Sequence, residues 1–308
     1  MTELILHHFD QSPFSEKVRL ILGFKQLAWR SVTVPVMLPK PDVVALTGGY
    51  RRTPFLQIGA DIYCDSALMV RVIDRLAPEP ALYPPAVSGL QHLIAQWAES
   101  TLFWTAVPYT TQPAGLPFLF GDASLEFLKA LGADRAAMTA GIRRVTPLDA
   151  AAQLTSYLAW IESLLGDGQR FLLGDTPCIA DFAVAHPLWF IRLAPPVTSV
   201  LAPYPRIAAW YDRVAAFGHG RPDKLSSADA IAIAANATGH AATEVEPGLG
   251  FAAGDAITVS ATDYASDLVP GTLVGLSADQ VVLERRDERA GTVHVHFPRI
   301  GYQLKKPR

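Results

Sequence analysis

Apolar and polar positions follow three different patterns along the chain. Residues 1–77 mix short apolar runs with amphipathic segments, residues 85–220 repeat apolar positions three and four apart, and residues 243–308 return to short alternating runs. Strands repeat every two residues and helices about every 3.6. The pattern therefore predicts an α/β domain, then an all-helical domain, then a small β module.

The first segment has the element order βαβαββα. Four strands and three helices are predicted, at Leu4–His7, Phe14–Lys25, Trp29–Val34, Asp42–Leu46, Phe55–Ile58, Asp61–Tyr63 and Ser66–Leu76. Ser12 and Pro13 suit the start of the first helix, since serine is a favoured N-cap and proline fits the first helical position. This order predicts a thioredoxin-like fold, and four prolines within Pro78–Pro85 indicate a linker after it.

The rest of the chain divides into helices and then strands. Helices are predicted at Leu90–Trp104, Leu125–Leu131, Arg135–Val145, Leu148–Leu165, Cys178–Leu193, Tyr204–Phe217 and Ser227–Thr238. Cys178–Leu193 is apolar on nearly every side, as in a buried central helix. Five strands follow, at Ala256–Ser260, Thr272–Leu276, Gln280–Glu284, Thr292–Phe297 and Tyr302–Leu304. Short strands with turns between them predict a small barrel or sandwich.

Composition limits the function classes. The 308 residues carry a net charge near −3, which points to neither a nucleic-acid nor a membrane partner. The two cysteines, Cys64 and Cys178, form no CxxC pair, which fits a reducing compartment and argues against structural zinc. No signal peptide pattern opens the chain, and no apolar run is long enough to span a bilayer. We expect a cytoplasmic protein.

Three polar segments adjoin the predicted elements of the first domain. Ser12 opens the first helix, where free N–H groups and a hydroxyl would stabilise a thiolate. Thr53-Pro54 precedes a strand, and a cis bond there would expose the Thr53 backbone to an extended peptide. Asp65-Ser66 opens another helix, whose N-terminus favours a carboxylate. Taken singly, the three also fit a helix cap, a trans proline and a capping pair.

Jointly, these segments resemble the glutathione transferase family over roughly residues 1–220. The proline-rich linker and the later FLLGDTPCIAD at Phe171–Asp181 support the resemblance, and SPFSEKVRLIL resembles serine-type members such as the tau class. It implies that Ser12 activates the thiol of glutathione and that Thr53, before a cis Pro54, binds the cysteinyl backbone. Asp65 and Ser66 would hold the γ-glutamyl end. Arg52 would contact the glycyl carboxylate, with Arg51 as the alternative.

The resemblance also implies the rest of the reaction. Glutathione would be a co-substrate, without a metal, and its thiolate would attack a small hydrophobic electrophile in a pocket formed in part by Phe14, Phe103 and Trp104. A homodimer is expected. Two alternatives stay open: a glutathione-dependent disulfide reductase, which normally needs a cysteine where Ser12 stands, and a non-catalytic scaffold.

Three features depart from the family pattern or stand outside it. The chain continues beyond Phe217, where the family fold normally ends, and Cys178 replaces the usual serine or threonine cap. His294 and His296 share one face of a predicted strand, which leaves a metal site as an alternative to simple packing. The resemblance assigns no role to the C-terminal module.

Overall fold

A single ten-stranded sheet runs through the molecule, which we describe from a computed structural model covering residues 3–166 and 168–306. The strands are β1 Ile5–His8, β2 Ala28–Thr33, β3 Phe55–Ile58, β4 Asp61–Cys64, β5 Arg221–Lys224, β6 Ala256–Ala261, β7 Val269–Leu276, β8 Gln280–Asp287, β9 Gly291–Pro298 and β10 Tyr302–Lys305. Their order across the sheet is β10-β6-β7-β8-β9-β4-β3-β1-β2-β5.

The helices follow the sequence pattern closely. They are α1 Pro13–Phe24, α2 Pro41–Thr47, α3 Ser66–Leu76, α4 Ser88–Trp97, α5 Phe103–Thr110, α6 Leu116–Leu119, α7 Leu125–Met138, α8 Pro147–Leu164, α9 Ile179–Arg192, α10 Pro205–Ala215 and α11 Ser227–Ala235. A π-helical turn at Ala98–Leu102 joins α4 to α5, so the predicted long helix is continuous. In the part of the chain described, no helix is both long and apolar enough to cross a bilayer.

The first domain has the predicted βαβαββα order. β1 pairs in parallel with β2 and antiparallel with β3, and β3 pairs antiparallel with β4. Ser12 caps α1, since its Oγ accepts the Ser15 N–H at 3.2 Å, and Pro13 takes the first helical position. The thioredoxin-like fold expected from the sequence is confirmed.

The second domain is helical, with α9 buried at its centre. Asp181 begins this helix by accepting the Cys178 N–H at 2.9 Å, and it also accepts the Trp210 indole N–H at 2.8 Å. One expectation fails, because α7 is a single helix where two were predicted. Ser124 caps this helix, and Gly132 within it is tolerated because a lone helical glycine costs only about 1 kcal/mol.

The five predicted C-terminal strands are present as a separate β module, and this module also pairs with the first domain. β10 pairs with β6 at one end of the meander, while β9 pairs in parallel with β4 at the other. The physical reason is that β4 would otherwise leave a row of backbone N–H and C=O groups unpaired at the edge of the first domain. The module therefore extends the first domain's sheet.

An apolar core lies against the sheet where β9 of the module pairs with β4 of the first domain. Phe55 and Ile62 from the first domain pack in one buried cluster with Val293, Val295 and Phe297 of β9. Helices α2 and α11 add Leu46 and Ile231 to the same cluster. The first domain and the module thus share one hydrophobic core.

Candidate functional site

A cavity of about 190 Å³ lies between the first domain and the helical domain. Its lining includes Ser12 at the start of α1, Thr53 before β3, and Phe103 of α5. A second, wider hollow adjoins it and is lined by Pro54, Asp65 and Ser66. Four residues line both spaces: Phe14, Arg52, Thr53 and Tyr264. The two spaces therefore adjoin at Thr53 and these neighbours.

Ser12 lines the inner cavity at the start of α1. It is 3% exposed, and its Oγ donates to the Thr53 carbonyl at 3.3 Å while accepting the Ser15 N–H. Ser15 is fully buried, and its Oγ has no partner among the described residues. Ser12 therefore meets the cavity at a helix N-terminus, where the free N–H groups favour negative charge.

The Thr53–Pro54 peptide bond is cis, as the sequence predicted. Lys40 approaches this turn from the start of α2, and its Nζ donates to Thr53 Oγ1 and to the Arg51 carbonyl, each at 3.2 Å. Burial, followed by the nearby charge of Arg135, lowers the pKa of Lys40 to about 8. Lys40 is therefore mostly charged near neutral pH, and it loses this charge as the pH rises through about 8.

Asp65 and Ser66 begin α3 in the second hollow. Asp65 is the N-cap, since its Oδ1 accepts the Ala67 N–H at 2.9 Å, and its φ is 72°. A non-glycine residue in that region costs of order 1–3 kcal/mol, and such strain clusters at functional sites. Ser66 is 5% exposed and lines the hollow beside it.

Residues of the C-terminal module bind two of the polar side chains, Arg52 and Asp65, that the family resemblance assigned to glutathione. The Arg52 guanidinium binds the Asp263 carboxylate and the Tyr264 carbonyl, and it stacks 3.8 Å from the centroid of the Tyr264 ring. Tyr302 donates its hydroxyl to Asp65 Oδ2 at 3.1 Å. Arg52 and Asp65 therefore already have partners within the chain.

Aromatic side chains form the apolar wall of the cavity. Phe14 lies 4.7 Å from Phe103 between ring centroids, Phe103 lies 5.1 Å from Trp104, and Trp104 meets Tyr264 edge-on at 4.9 Å. The structure thus brings together the three residues expected in the substrate pocket. It adds Tyr264, which comes from the module.

Another part of the cavity wall is cationic. Lys40, Arg51, Arg52, Arg135 and Arg144 line the cavity, and no acidic residue is among the described lining residues. Asp134 lies behind this wall and pairs with both Arg51 and Arg135. The cavity therefore combines an apolar face with positive charge, which suits an anionic ligand with an apolar part.

Neither cysteine offers a reactive thiol. Burial, with the Asp181 charge next, raises the pKa of Cys178 to about 12. Burial also raises the pKa of the fully buried Cys64 well above its usual value. Both thiols are therefore protonated near neutral pH, and only thiolates are good nucleophiles.

Sequence reasoning missed the module's contribution to the site. Asp263, Tyr264 and Tyr302 lie beyond the segment that carries the family resemblance, and no local motif marks them. They reach the site only because β9 pairs with β4. Lys40 was also missed, although an isolated lysine between prolines beside the first domain's helix is a visible signal.

Comparisons with known proteins agree with this architecture. Family models of the glutathione S-transferase N-terminal and C-terminal domains match residues 6–81 and 88–213. The solved structure of a GST-like protein from Pseudomonas syringae is 42% identical, covers 100% of both chains and has a TM-score of 0.83. A search of curated proteins gives no significant match.

More distant structures share the fold alone. A glutathione transferase from Phanerochaete chrysosporium is 20% identical over 70% of this chain and 97% of its own, with a TM-score of 0.57. A tau-class enzyme from mango, Mangifera indica, is 18% identical over 69% of this chain and 88% of its own, with a TM-score of 0.52. The full-length match to the Pseudomonas protein includes the module as well, and the chain belongs to the glutathione S-transferase family.

Proposed function

We propose that this protein is a glutathione transferase in which Ser12 activates the glutathione thiol for attack on a hydrophobic electrophile. The observation that carries the proposal is the position of Ser12, at the N-terminus of α1, 3.3 Å from the Thr53 carbonyl and on the wall of an aromatic cavity. A thiolate placed there would accept the Ser12 O–H in place of the Thr53 carbonyl. That hydrogen bond and the helix N-terminus both favour the ionised form.

The chemistry needs no covalent bond to the protein. The thiol loses its proton to solvent, its sulfur forms a bond to the electrophilic carbon, and a leaving group departs with the electron pair. Phe14, Phe103 and Trp104 would hold the apolar body of the electrophile. Most of the rate gain would come from thiolate stabilisation and proximity.

Glutathione would lie extended across the two connected spaces. Asp65 and Ser66 would receive the γ-glutamyl end in the outer hollow, and the Thr53 backbone would pair with the cysteinyl part. Lys40 lines the inner cavity and suits the glycyl carboxylate, whereas Arg51 and Arg52 become available only when Asp134 and Asp263 release them.

Two other functions compete with this proposal. The raised pKa values of Cys64 and Cys178 weigh against a disulfide reductase. A non-catalytic scaffold is favoured by one observation, the engagement of Arg52 and Asp65 by the module. The two free, buried cysteines fit a reducing compartment, and we include a cytoplasmic location in the proposal on that ground.

Calorimetry with glutathione, followed by a conjugation assay with an aryl halide, tests the proposal. We expect saturable binding and thioether formation that depends on enzyme concentration. Binding without turnover would favour the scaffold. Turnover of a small mixed disulfide faster than of the aryl halide would favour the reductase.

A homodimer completes the proposal. Leu90 and Leu93 of α4 are 51% and 70% exposed, and Leu93 shares the outer hollow with the 77% exposed Ile300 of the module. Such an apolar strip suits contact with a second subunit. Light scattering should give twice the 33.3 kDa mass of the chain, and a monomer would contradict the assembly.

A further inference from the structure

Three histidines and a carboxylate meet where the first domain joins the C-terminal module. Asp61 of β4 and His294 of β9 are register partners in the sheet, and His296 lies two residues further along the same face. His240, from the segment after α11, stacks its ring on His294 with centroids 3.7 Å apart and planes 12° apart. The cluster therefore draws on three separate parts of the chain.

The ligand atoms of this cluster are close enough for one metal ion. One atom each from Asp61, His240 and His294 lie within 4.8 Å of one another. Zinc binds nitrogen and oxygen ligands at about 2.0–2.2 Å, so two ligands on one ion are at most about 4 Å apart. At least one of the stacked rings of His240 and His294 must turn, so that each ring directs one nitrogen at a common ion.

The histidines of the cluster hold unused nitrogens. The Nδ1 atoms of His240, His294 and His296 are buried and have no hydrogen-bond partner among the described residues. His294 is 8% exposed and His296 is 1% exposed. A buried nitrogen without a partner is unusual in proteins and needs an explanation.

The surrounding contacts hold the carboxylate in place. Asp61 Oδ1 lies 2.7 Å from His296 Nε2, and Asp61 Oδ2 accepts the Ala241 N–H at 2.8 Å. Glu284, the cross-strand partner of His294 on β8, lies 3.5 Å from His294 Nε2. Hydrogen bonds of this kind orient the ligands of metal sites and fix histidine tautomers.

We propose that Asp61, His240 and His294 bind one zinc ion, with His296 and Glu284 as the groups that orient these ligands. Three protein ligands of nitrogen and oxygen type leave a fourth position for water, as zinc accepts. The site lies at the opposite end of β4 from Asp65, apart from the glutathione path. Its role is to fasten the module and the segment that carries His240 onto the first domain.

The test uses the full-length protein, freed of metal by a chelator and titrated with zinc alone. We expect one zinc per chain by calorimetry and elemental analysis, and a higher Tm in the bound form. Cobalt in place of zinc should give the visible absorption of a low-symmetry, four-coordinate site. His240→Ala should weaken zinc binding at least about tenfold and remove the Tm increase. His240 is only partly buried, so this variant should keep its fold by circular dichroism.

His92→Ala is the matched control, because His92 is exposed on α4 outside the cluster, and it should bind zinc as the wild type does. His294→Gln provides a second test within the cluster and should also lose binding. An absence of zinc binding, or equal affinity in wild type, His240→Ala and His294→Gln, would overturn the site. Zinc that binds without changing Tm would overturn its role as a fastener.

Discussion

The Ser12 hydroxyl accepts one hydrogen bond and donates another, and only the donated hydrogen bond bears on the proposed catalysis. Its oxygen caps α1 through the Ser15 N–H, while its proton points to the Thr53 carbonyl at 3.3 Å, a long hydrogen bond. A thiolate is a stronger acceptor than a distant carbonyl because it carries a charge. The hydrogen bond is thus available for exchange when glutathione binds.

Replacing Ser12 by alanine should therefore impair the reaction more than the binding. We expect Ser12→Ala to lower kcat with an aryl halide by about 10- to 1000-fold, the scale of one catalytic hydrogen bond, with little change in the Kd of glutathione. Steady-state kinetics and calorimetry measure the two quantities. Ser15→Ala is the matched control, since Ser15 is one turn along and fully buried. If Ser15→Ala abolishes turnover and Ser12→Ala does not, Ser12 has no catalytic role.

Lys40 should give glutathione binding a pH dependence. Its pKa is lowered to about 8 by burial and by Arg135, so it is charged below that pH and neutral above it. A charged Lys40 attracts the glycyl carboxylate, so affinity should fall as the pH rises from 7 to 9, by about tenfold for one charge-assisted hydrogen bond.

S-methylglutathione is the suitable ligand for that measurement because it lacks a titrating thiol. Calorimetry should show a steeper loss of affinity in the wild type than in Lys40→Met, in which only the ligand's own groups titrate. Lys129→Met, at an exposed position on α7, should behave as the wild type. Parallel pH profiles in wild type and Lys40→Met would show that Lys40 does not contribute to glutathione binding.

At the scale of elements, short-range signals predicted most of the first two domains. The cap at Ser12 and the turn between β3 and β4 follow from residues that are neighbours in sequence, whereas the cis Thr53–Pro54 bond was predicted from the family resemblance. The helix α7 was divided wrongly because Gly132 was interpreted as a break, although a lone helical glycine with open space around it is tolerated. Local patterns therefore give the elements and fail where a single weak helix former is taken as a boundary.

The module's position could not be predicted in the same way. His296 and Asp61, which meet where β9 joins β4, are 235 residues apart, and nothing local in either strand specifies the other as a partner. Without that pairing, Tyr264 and Tyr302 have no relation to Arg52 or Asp65. The module's share of the candidate site's wall thus depends on one long-range strand pair.

The turn that carries Asp263 and Tyr264 should compete with glutathione. Asp263→Ala removes the carboxylate that binds Arg52 and one negative charge beside an anionic ligand. We expect glutathione to bind about 3- to 10-fold more tightly, since a net hydrogen bond to a charged group contributes about 1 kcal/mol or more. Calorimetry on Asp263→Ala and on Asp267→Ala, an exposed change in the same turn, measures the effect. Weaker binding in Asp263→Ala alone would mean that Asp263 supports the site.

At the scale of the whole molecule, the shared core makes the module part of the folding unit. β9 covers the edge of β4, and Val295 and Phe297 are 0% and 1% exposed in the cluster that also holds Ile62. Removing residues 243–308 would expose both an apolar face and an unpaired strand edge, and such surfaces promote aggregation. The family's usual two domains should therefore not suffice in this chain.

A chain that ends at residue 242 should accordingly aggregate or lose cooperative thermal unfolding, whereas the full chain melts in one transition. Val295→Asp tests the same core without a truncation, because a buried, unpaired carboxylate should lower the free energy of unfolding by about 4 kcal/mol or more. Thr292→Asp, exposed on the same strand, should stay within about 0.5 kcal/mol of the wild type. Urea unfolding of the two variants gives the comparison. A truncated chain that stays monodisperse and melts like the intact protein, together with a harmless Val295→Asp, would mean that the module is an independent domain.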